Sequence, residues 1–530
     1  MESLTGENVI GQDQASRQTS EHSESARSCA VTNRMQDQNN DGMQLSQQRL
    51  TGTIAAPTPA PRITADAHSR KWYAPISRRL SKHLALMALA VCIPLAQIAA
   101  LLAVIWRQTP RVPWGDEWNL VLLLRRQDAG TLSIADFWAL HNRTHRIVWP
   151  RMADVLLVNV SNWNRQVMMS VDLVVAIAAG GLLLACMFST LRSRRMVLTL
   201  LIPLSLLYFS FAQYENWFFP WQLTFFGTIL GICGCMYGFH RRAEADRQGQ
   251  RAASRQGFTL ALLGAVIASL ASFGGLCVWA AFLPSAVRSG RLRTGVWVAV
   301  ALLISVPYVI GIPHGSLTSP LHLAAFFLAA LGAPVASLNL TEARFFGALG
   351  LVALGLALYA ASRLSGELRR LEVWIELAAY SILATAVTTF GRASYGNGLA
   401  LLSRYQEFSQ LWWIALVVIG AVVIGRIVSD VRRVGVSRVL PDPRHARWAV
   451  ACGIALLLIC TAAGLASDVA GARTADEWLG SMRTQQSCML QTPSPSAECF
   501  QLYILEGQIP LSDQQLADYL RTHHLALFDH

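Results

Sequence analysis

Long apolar runs separated by short polar connections dominate the chain. The first, Leu84 to Trp106, contains no charged residue, and runs of roughly 17 to 25 apolar residues recur as far as about residue 465. Coiled as α-helices at about 1.5 Å per residue, such runs cross a hydrocarbon core about 30 Å thick. No period-two alternation accompanies them, which excludes a transmembrane β-barrel and predicts an all-α, polytopic transmembrane bundle.

The polar connections alternate in character. Arg192 to Arg195, His240 to Arg255, Arg288 to Arg293, Arg363 to Arg370 and Arg426 to Arg447 are basic. Between them fall Arg107 to Arg165, Gln213 to Trp221, a turn near Gly274-Gly275, His314 to Pro320, and Gly391 to Glu407. Cytoplasmic loops concentrate Lys and Arg, so the first set is expected inside and the second outside. Leu321 to Ser337 and Phe345 to Ala361 are both apolar where the alternation allows one crossing, and Gly332 and Pro334 interrupt the former. We read Leu321 to Ser337 as re-entrant or half-spanning, which gives about eleven crossings within a bracket of ten to thirteen.

Three divisions follow. Residues 1–80 are rich in Gln, Ser, Asn and Thr, include a Pro/Ala stretch from Ala55 to Pro61, and end against the basic Arg78-Arg79-Leu80-Ser81-Lys82. They are expected to be a disordered cytoplasmic tail, and no cleavable signal peptide is expected ahead of the first span. Residues 81–465 form the bundle, including the external loop 107–165, and residues 466–530 form a small C-terminal segment outside. Within the loop, Thr131 to His141 with Ser133 as N-cap, and Ile147 to Val160, have the spacing of two amphipathic surface helices.

Composition agrees: 53% of residues are hydrophobic and 14% charged, with mean hydropathy +0.37, which excludes an ordinary soluble protein. The net charge of +12 lies in clusters between apolar runs, a pattern of topology and not of nucleic-acid binding. Seven of the ten cysteines sit in apolar runs, and Cys233-Gly234-Cys235 lacks redox spacing. Cys29 lies in the tail, while Cys488 and Cys499 share the C-terminal segment and are expected to form a disulfide in an oxidising compartment.

Four polar clusters fall on the predicted outer side. Trp114-Gly115-Asp116-Glu117-Trp118 places two carboxylates just beyond the first span, suited to deprotonating an acceptor hydroxyl or holding a divalent cation; a solvated turn between aromatic anchors is the plainer reading. His141-Asn142-Arg143-Thr144-His145-Arg146 offers two imidazoles that share a face if helical, and guanidinium forks for a phosphate or pyrophosphate; Asn142 stands where a zinc HExxH motif needs Glu. Glu215 and Asn216 occupy an aromatic turn, where Glu215 pairs with a first-loop arginine or meets sugar hydroxyls. Arg392, Arg404 and Tyr405 are placed to meet a lipid-linked phosphate or to act as interfacial anchors.

A first span, a long external loop with two amphipathic helices and the acidic pair Asp116-Glu117 together resemble the glycosyltransferase C superfamily. More narrowly, Pro113 to Trp118, His141-Asn142 with His145-Arg146, Glu215-Asn216-Trp217 and Ser403-Arg404-Tyr405 resemble uncharacterised bacterial membrane proteins placed beside those enzymes. The resemblance covers roughly residues 84 to 527. It implies that Asp116 or Glu117 acts as base or positions the acceptor or a metal. No large soluble C-terminal domain follows the last span, which argues against glycan transfer to a protein.

The resulting expectation is a glycosyltransferase of the bacterial inner membrane that uses a polyprenyl-phosphate-linked sugar at the external face. Asp116 or Glu117 is the expected base, His141, His145, Arg146, Glu215, Asn216, Arg392, Arg404 and Tyr405 bind substrate, and the acceptor is a glycan or lipid. No cofactor is demanded, although Asp116 and Glu117 permit a divalent metal. The rival expectations are a transporter or flippase for a lipid-linked or anionic solute, an O-antigen-polymerase-like enzyme, and a non-catalytic envelope-assembly subunit.

Overall fold

The computed structural model describes residues 69–141, 145–191, 193–312, 318–434, 443–491 and 511–529. By compactness the chain divides into residues 1–76, of which only 69–76 are described, and residues 77–530. Cys29, Cys499, the stretch from Ala55 to Pro61 and Asn142 lie outside the described residues. Among those described, every regular element is helical, and ten helices are long and apolar enough to cross a membrane.

Helix α1 (Ser69–Gln108) begins before the apolar run, at Ser69. The loop after it carries three short helices, α2 (Asn119–Asp128), α3 (Ile134–Trp138) and α4 (Val148–Ser161). α5 (Arg165–Thr190) and α6 (Arg194–Tyr208) follow, each opened by a side-chain cap from Asn164 and Ser193 respectively. α7 (Tyr214–Phe218), α8 (Leu223–Arg247) and α9 (Arg251–Ala271) come next, then α10 (Cys277–Ala281), α11 (Leu283–Val287) and α12 (Arg291–Val309). The last six are α13 (Pro320–Gly332), α14 (Leu340–Arg363), α15 (Glu367–Arg392), α16 (Gln406–Val434), α17 (Pro443–Gln491) and α18 (Asp513–Thr522).

Small residues let these helices approach. In the α8–α9 pair, a Cβ on Gly231 would lie 2.5 Å from the Ala268 nitrogen, and one on Gly238 would lie 2.4 Å from the Ala261 nitrogen. Hydrophobic attraction between helices is weak in lipid, so backbone-to-backbone packing of this kind is what holds a bundle together.

Polar groups gather at the two ends. At one, Arg242 donates to the Arg288 carbonyl, Arg293 to Ser254, and Arg370 pairs with Glu367 at 3.1 Å; we call this the basic end. The segments 109–164, 210–222, 272–275 and 393–406 lie between helices at the other, the loop end, as the alternation of connections predicts.

Two elements differ in form from expectation, and a third, α13, is short as expected. The crossing expected between Gly274-Gly275 and Arg288 is a broken segment, α10 and α11, because Pro284 opens α11 with no amide proton to continue the ladder. α13 has 13 residues, too few to cross, in keeping with a half-spanning segment. Its first turn is tied by His322 to the Ala393 carbonyl, and beyond its end Ser467 donates to the Val335 carbonyl. α3 is only five residues long, capped at Ser133 by Asp136, because Ala139 turns extended.

α4 matches its expected amphipathic segment. Arg151, Asp154, Val155 and Val158 are buried, while Met152, Leu156 and Val160 form an exposed apolar stripe suited to an interface. α17 continues through residue 465 without a break.

Replacing Gly231 by Leu is expected to remove the monodisperse folded peak in fluorescence-detected size exclusion. Gly234→Ala, where a Cβ would meet nothing nearer than 3.8 Å, is expected to preserve it.

Candidate functional site at the loop end

The acidic pair divides by burial. Gly115 takes φ 52, a left-handed conformation open to glycine, and starts a one-turn helix, Gly115–Trp118. Glu117 turns inward and has no accessible surface: Arg165 Nε donates to its Oε1 at 3.1 Å, Arg165 Nη2 lies 3.0 Å from Oε2, and the Trp114 amide donates to Oε2 at 2.8 Å. Burial pushes this carboxyl above its ordinary 4.5 while the Arg165 guanidinium pulls the other way. Asp116 turns outward, 26% exposed, with its Oδ2 3.5 Å from His141 Nε2.

The turn that delivers Arg165 is strained. Asn162 and Trp163 sit at φ 51 and 59, an unusual conformation for a bulky indole. The Ala526 amide donates to the Asn162 carbonyl, so the C-terminus helps hold this turn.

The histidines do not share a helix face. His141 and His145 instead close an antiparallel bridge, His141 N–H to the His145 carbonyl at 2.6 Å and the reverse at 3.3 Å, with ring centroids 5.2 Å apart. Trp221 lies against His141 with centroids 5.4 Å apart. Burial holds both imidazoles below their ordinary 6.5, His145 well below; nearby Arg392 and Arg151 add to the depression, and Asp116 opposes it. Both rings are therefore neutral at pH 7.

Arg146 is a structural staple. Its guanidinium donates to the backbone carbonyls of Trp138, Tyr308 at 3.0 Å and Ile310 at 2.7 Å, which spends the fork expected to hold phosphate. Glu215 pairs with Arg404 of a late segment, Nη2 to Oε1 at 3.5 Å, and not with the first loop; Ser403 Oγ also donates to it at 2.5 Å. Asn216 is fully buried and donates to the Ser403 carbonyl at 3.2 Å, tying the two segments together.

A cavity of about 710 Å³ opens beside this assembly. His145, Arg392, Ser394 and Tyr405 give it a polar rim, while Phe225, Phe273, Val387, Phe390 and Phe408 give it an apolar wall. Arg392 stands over Tyr405 at 5.9 Å and, among the described residues, has no carboxylate partner. Asp116 acts electrostatically on Arg404 as well as on the two histidines, so acid, imidazoles and guanidiniums from separated stretches share one field. No family model, curated protein or solved structure matches this chain.

Among the described residues, no group of three or more His, Cys, Asp or Glu side chains is placed to hold a metal. Asp116 faces His141 and Glu117 is enclosed by Arg165, so the acid pair does not form a chelate for a divalent cation. Cys488 is disulfide-bonded.

Several site residues escape a motif-based reading. Arg165 looks like a helix boundary, yet it neutralises Glu117; Arg151 and Asp154 lie on the buried face of an apolar helix. Burial pushes the Asp154 carboxyl well above 3.8 and Arg151 down to about 10. Charged residues at apolar helical positions are the sequence signal that marks them.

Arg165→Met strands a buried carboxylate and is expected to cost about 3–5 kcal/mol of stability in denaturant unfolding of the solubilised protein. Adding Glu117→Gln should recover most of the loss. The histidines make a second prediction. Their folded pKa values lie below the unfolded 6.5, so the unfolded chain binds more protons and stability falls as pH drops through 6.5. His145→Gln should flatten that acid slope in thermal melts. Buried acids such as Asp154 tilt the curve the opposite way in both proteins, so the difference isolates the imidazole.

Proposed function

We propose that this multi-pass membrane protein is a glycosyltransferase that takes a polyprenyl-phosphate-linked sugar at the loop end of the bundle. The observation that carries the reading is the amphipathic cavity itself, in which Arg392, with no carboxylate partner among the described residues, shares the lining with an aromatic wall. A phosphate joined to a long hydrocarbon matches that division, and about 710 Å³ suits a sugar phosphate with the first part of its chain.

Charge supports the same ligand class. Arg404 is matched by Glu215, whereas Arg392 and Arg151 both act on His141 with Asp116 opposing them. In the proposed reaction an acceptor hydroxyl oxygen attacks the anomeric carbon, and the bond from that carbon to the phosphate oxygen breaks. The phosphate leaves with the electron pair, and Asp116 takes the hydroxyl proton. Arg392, supported by Arg404, stabilises charge as it grows on the leaving oxygen. Neutral His141 orients Asp116 through its Nε2, while Glu117 positions the loop without meeting substrate.

In this reading the loop end faces the exterior of a bacterial inner membrane, which the basic connections at the opposite end favour, and the acceptor is a glycan or lipid. A transporter or flippase needs a polar path through both ends, whereas this cavity takes its polar lining from loop-end residues alone.

The decisive assay is product formation in vesicles containing polyprenyl-phosphate sugars. Asp116→Asn is expected to reduce turnover by about 10²–10⁴-fold, and Arg392→Ala by about 10²-fold. Unchanged product in both variants removes the assignment. Solute flux without product favours transport, and neither flux nor product favours an assembly subunit.

A further inference from the structure

We propose that the half of α17 beyond Asp468 is a brace for this site, with Trp478 as the positioning residue that sets the Asp116 loop against the Glu215 turn. The proposal rests on the glycosyltransferase reading for its catalytic consequence, but its structural content stands apart from it.

Trp478 touches both catalytic segments. Its ring meets Trp114 nearly edge-on, with centroids 5.8 Å apart and an interplanar angle of 80°, and it meets Tyr214 at 5.8 Å and 58°. Trp114 precedes Asp116 by two residues and donates its amide to Glu117; Tyr214 directly precedes Glu215. One indole therefore spans the gap between the two arms that carry the proposed base and the Arg404 partner.

The helix bearing Trp478 is itself anchored to these segments and not merely adjacent. A Cβ on Gly471 would lie 2.5 Å from the backbone of Ala212, so α17 and the 211–213 turn meet backbone to backbone. Asp468 accepts hydrogen bonds from the Ser210 hydroxyl at 3.0 Å and from the Phe211 amide. Further along, Gln486 Oε1 accepts the Arg111 amide proton at 2.7 Å, which fixes the other end of the acid loop.

Sequence pattern fits the same role. Gly471, Ala475, Leu479, Met482 and Met489 are buried at helical spacing, whereas Arg473, Asp476, Glu477 and Arg483 face outward. A helix that had merely left the membrane would need no such stripe; this one has a partner along its length. Its attachments avoid Arg392, which belongs to α15, so the brace acts directly on the acid loop and reaches the phosphate side only through the Glu215–Arg404 pair.

The test uses the full chain with Trp478→Ala and Trp478→Phe, read by amide hydrogen exchange and by kinetics. Trp478→Ala is expected to speed exchange in both 109–118 and 210–217, and to lower kcat roughly 100-fold, since a displacement of about 1 Å at a reacting group has that effect. The KM for the lipid-phosphate sugar should stay within about twofold, because Arg392 keeps its place. Trp478→Phe retains a ring for both contacts and should restore protection and turnover. Unchanged exchange in the two segments, or a uniform rise across the whole bundle, overturns the brace, as does an unchanged kcat in an active enzyme. Should the wild-type protein make no product, the glycosyltransferase reading fails, and the exchange pattern alone then decides the brace.

Discussion

Glu117 and Arg165 are both without accessible surface, and the loop end is organised around their pairing. Removing two charges from water is costly, and the cost is met only if nearly every polar atom finds a partner. Here the guanidinium also donates to the Pro110 carbonyl at 2.6 Å, and the carboxylate takes the Trp114 amide. Pro110, Trp114, Glu117 and the first residue of α5 are thereby fixed to one another. A hydrophobic pair of equal volume could pack as well, but it would not specify which turn of the loop faces inward. With Glu117 committed, Asp116 has one direction left, toward His141 and solvent.

The same division of labour recurs around the site. Arg146 and Asn216 are used up in holding backbone carbonyls, and Glu215 is held by Ser403 and Arg404. Arg392, on the cavity lining, has no carboxylate partner among the described residues. A guanidinium on a cavity wall with no carboxylate to neutralise it is the group best placed to meet an anionic ligand. Close packing lower in the bundle supplies the rigidity this requires: glycine contacts along α8 and α9 fix the helices that hold Thr224, Phe225 and Ser272 at the cavity.

The helical bundle was legible in the sequence because hydrocarbon imposes a length and short basic loops impose an alternation. The half-spanning segment was legible as well, since Gly332 and Pro334 cut an apolar run too short to cross. Less visible was the form of the segment from Cys277 to Val287, whose apolar composition conceals the break at Pro284. Local chemistry was harder still. The spacing of His141 and His145 suits a helix turn as well as it suits the bridge they form, and only tertiary contact with Trp221 and Asp116 distinguishes the two. Partner choice decides the roles of Glu117 and Arg146, and a partner 48 residues away, such as Arg165, leaves no mark in local pattern.

The tripeptide Asp-Glu-Trp occurs twice, at 116–118 and at 476–478, and the two copies show how little a motif means without its surroundings. In the second copy the acids face outward, Asp476 lying 74% exposed beside Arg483, and the tryptophan does the work by packing on Trp114 and Tyr214. In the first, Trp118 is buried in the core, Glu117 is paired with Arg165, and Asp116 is left partly exposed beside His141. In the proposed reaction Asp116 faces an imidazole on which Arg392 also acts, so its gain of a proton is coupled to the departing phosphate at Arg392. That coupling is why the reading attaches to the first copy: a base is useful to phosphate departure only when the two charges change in the same field.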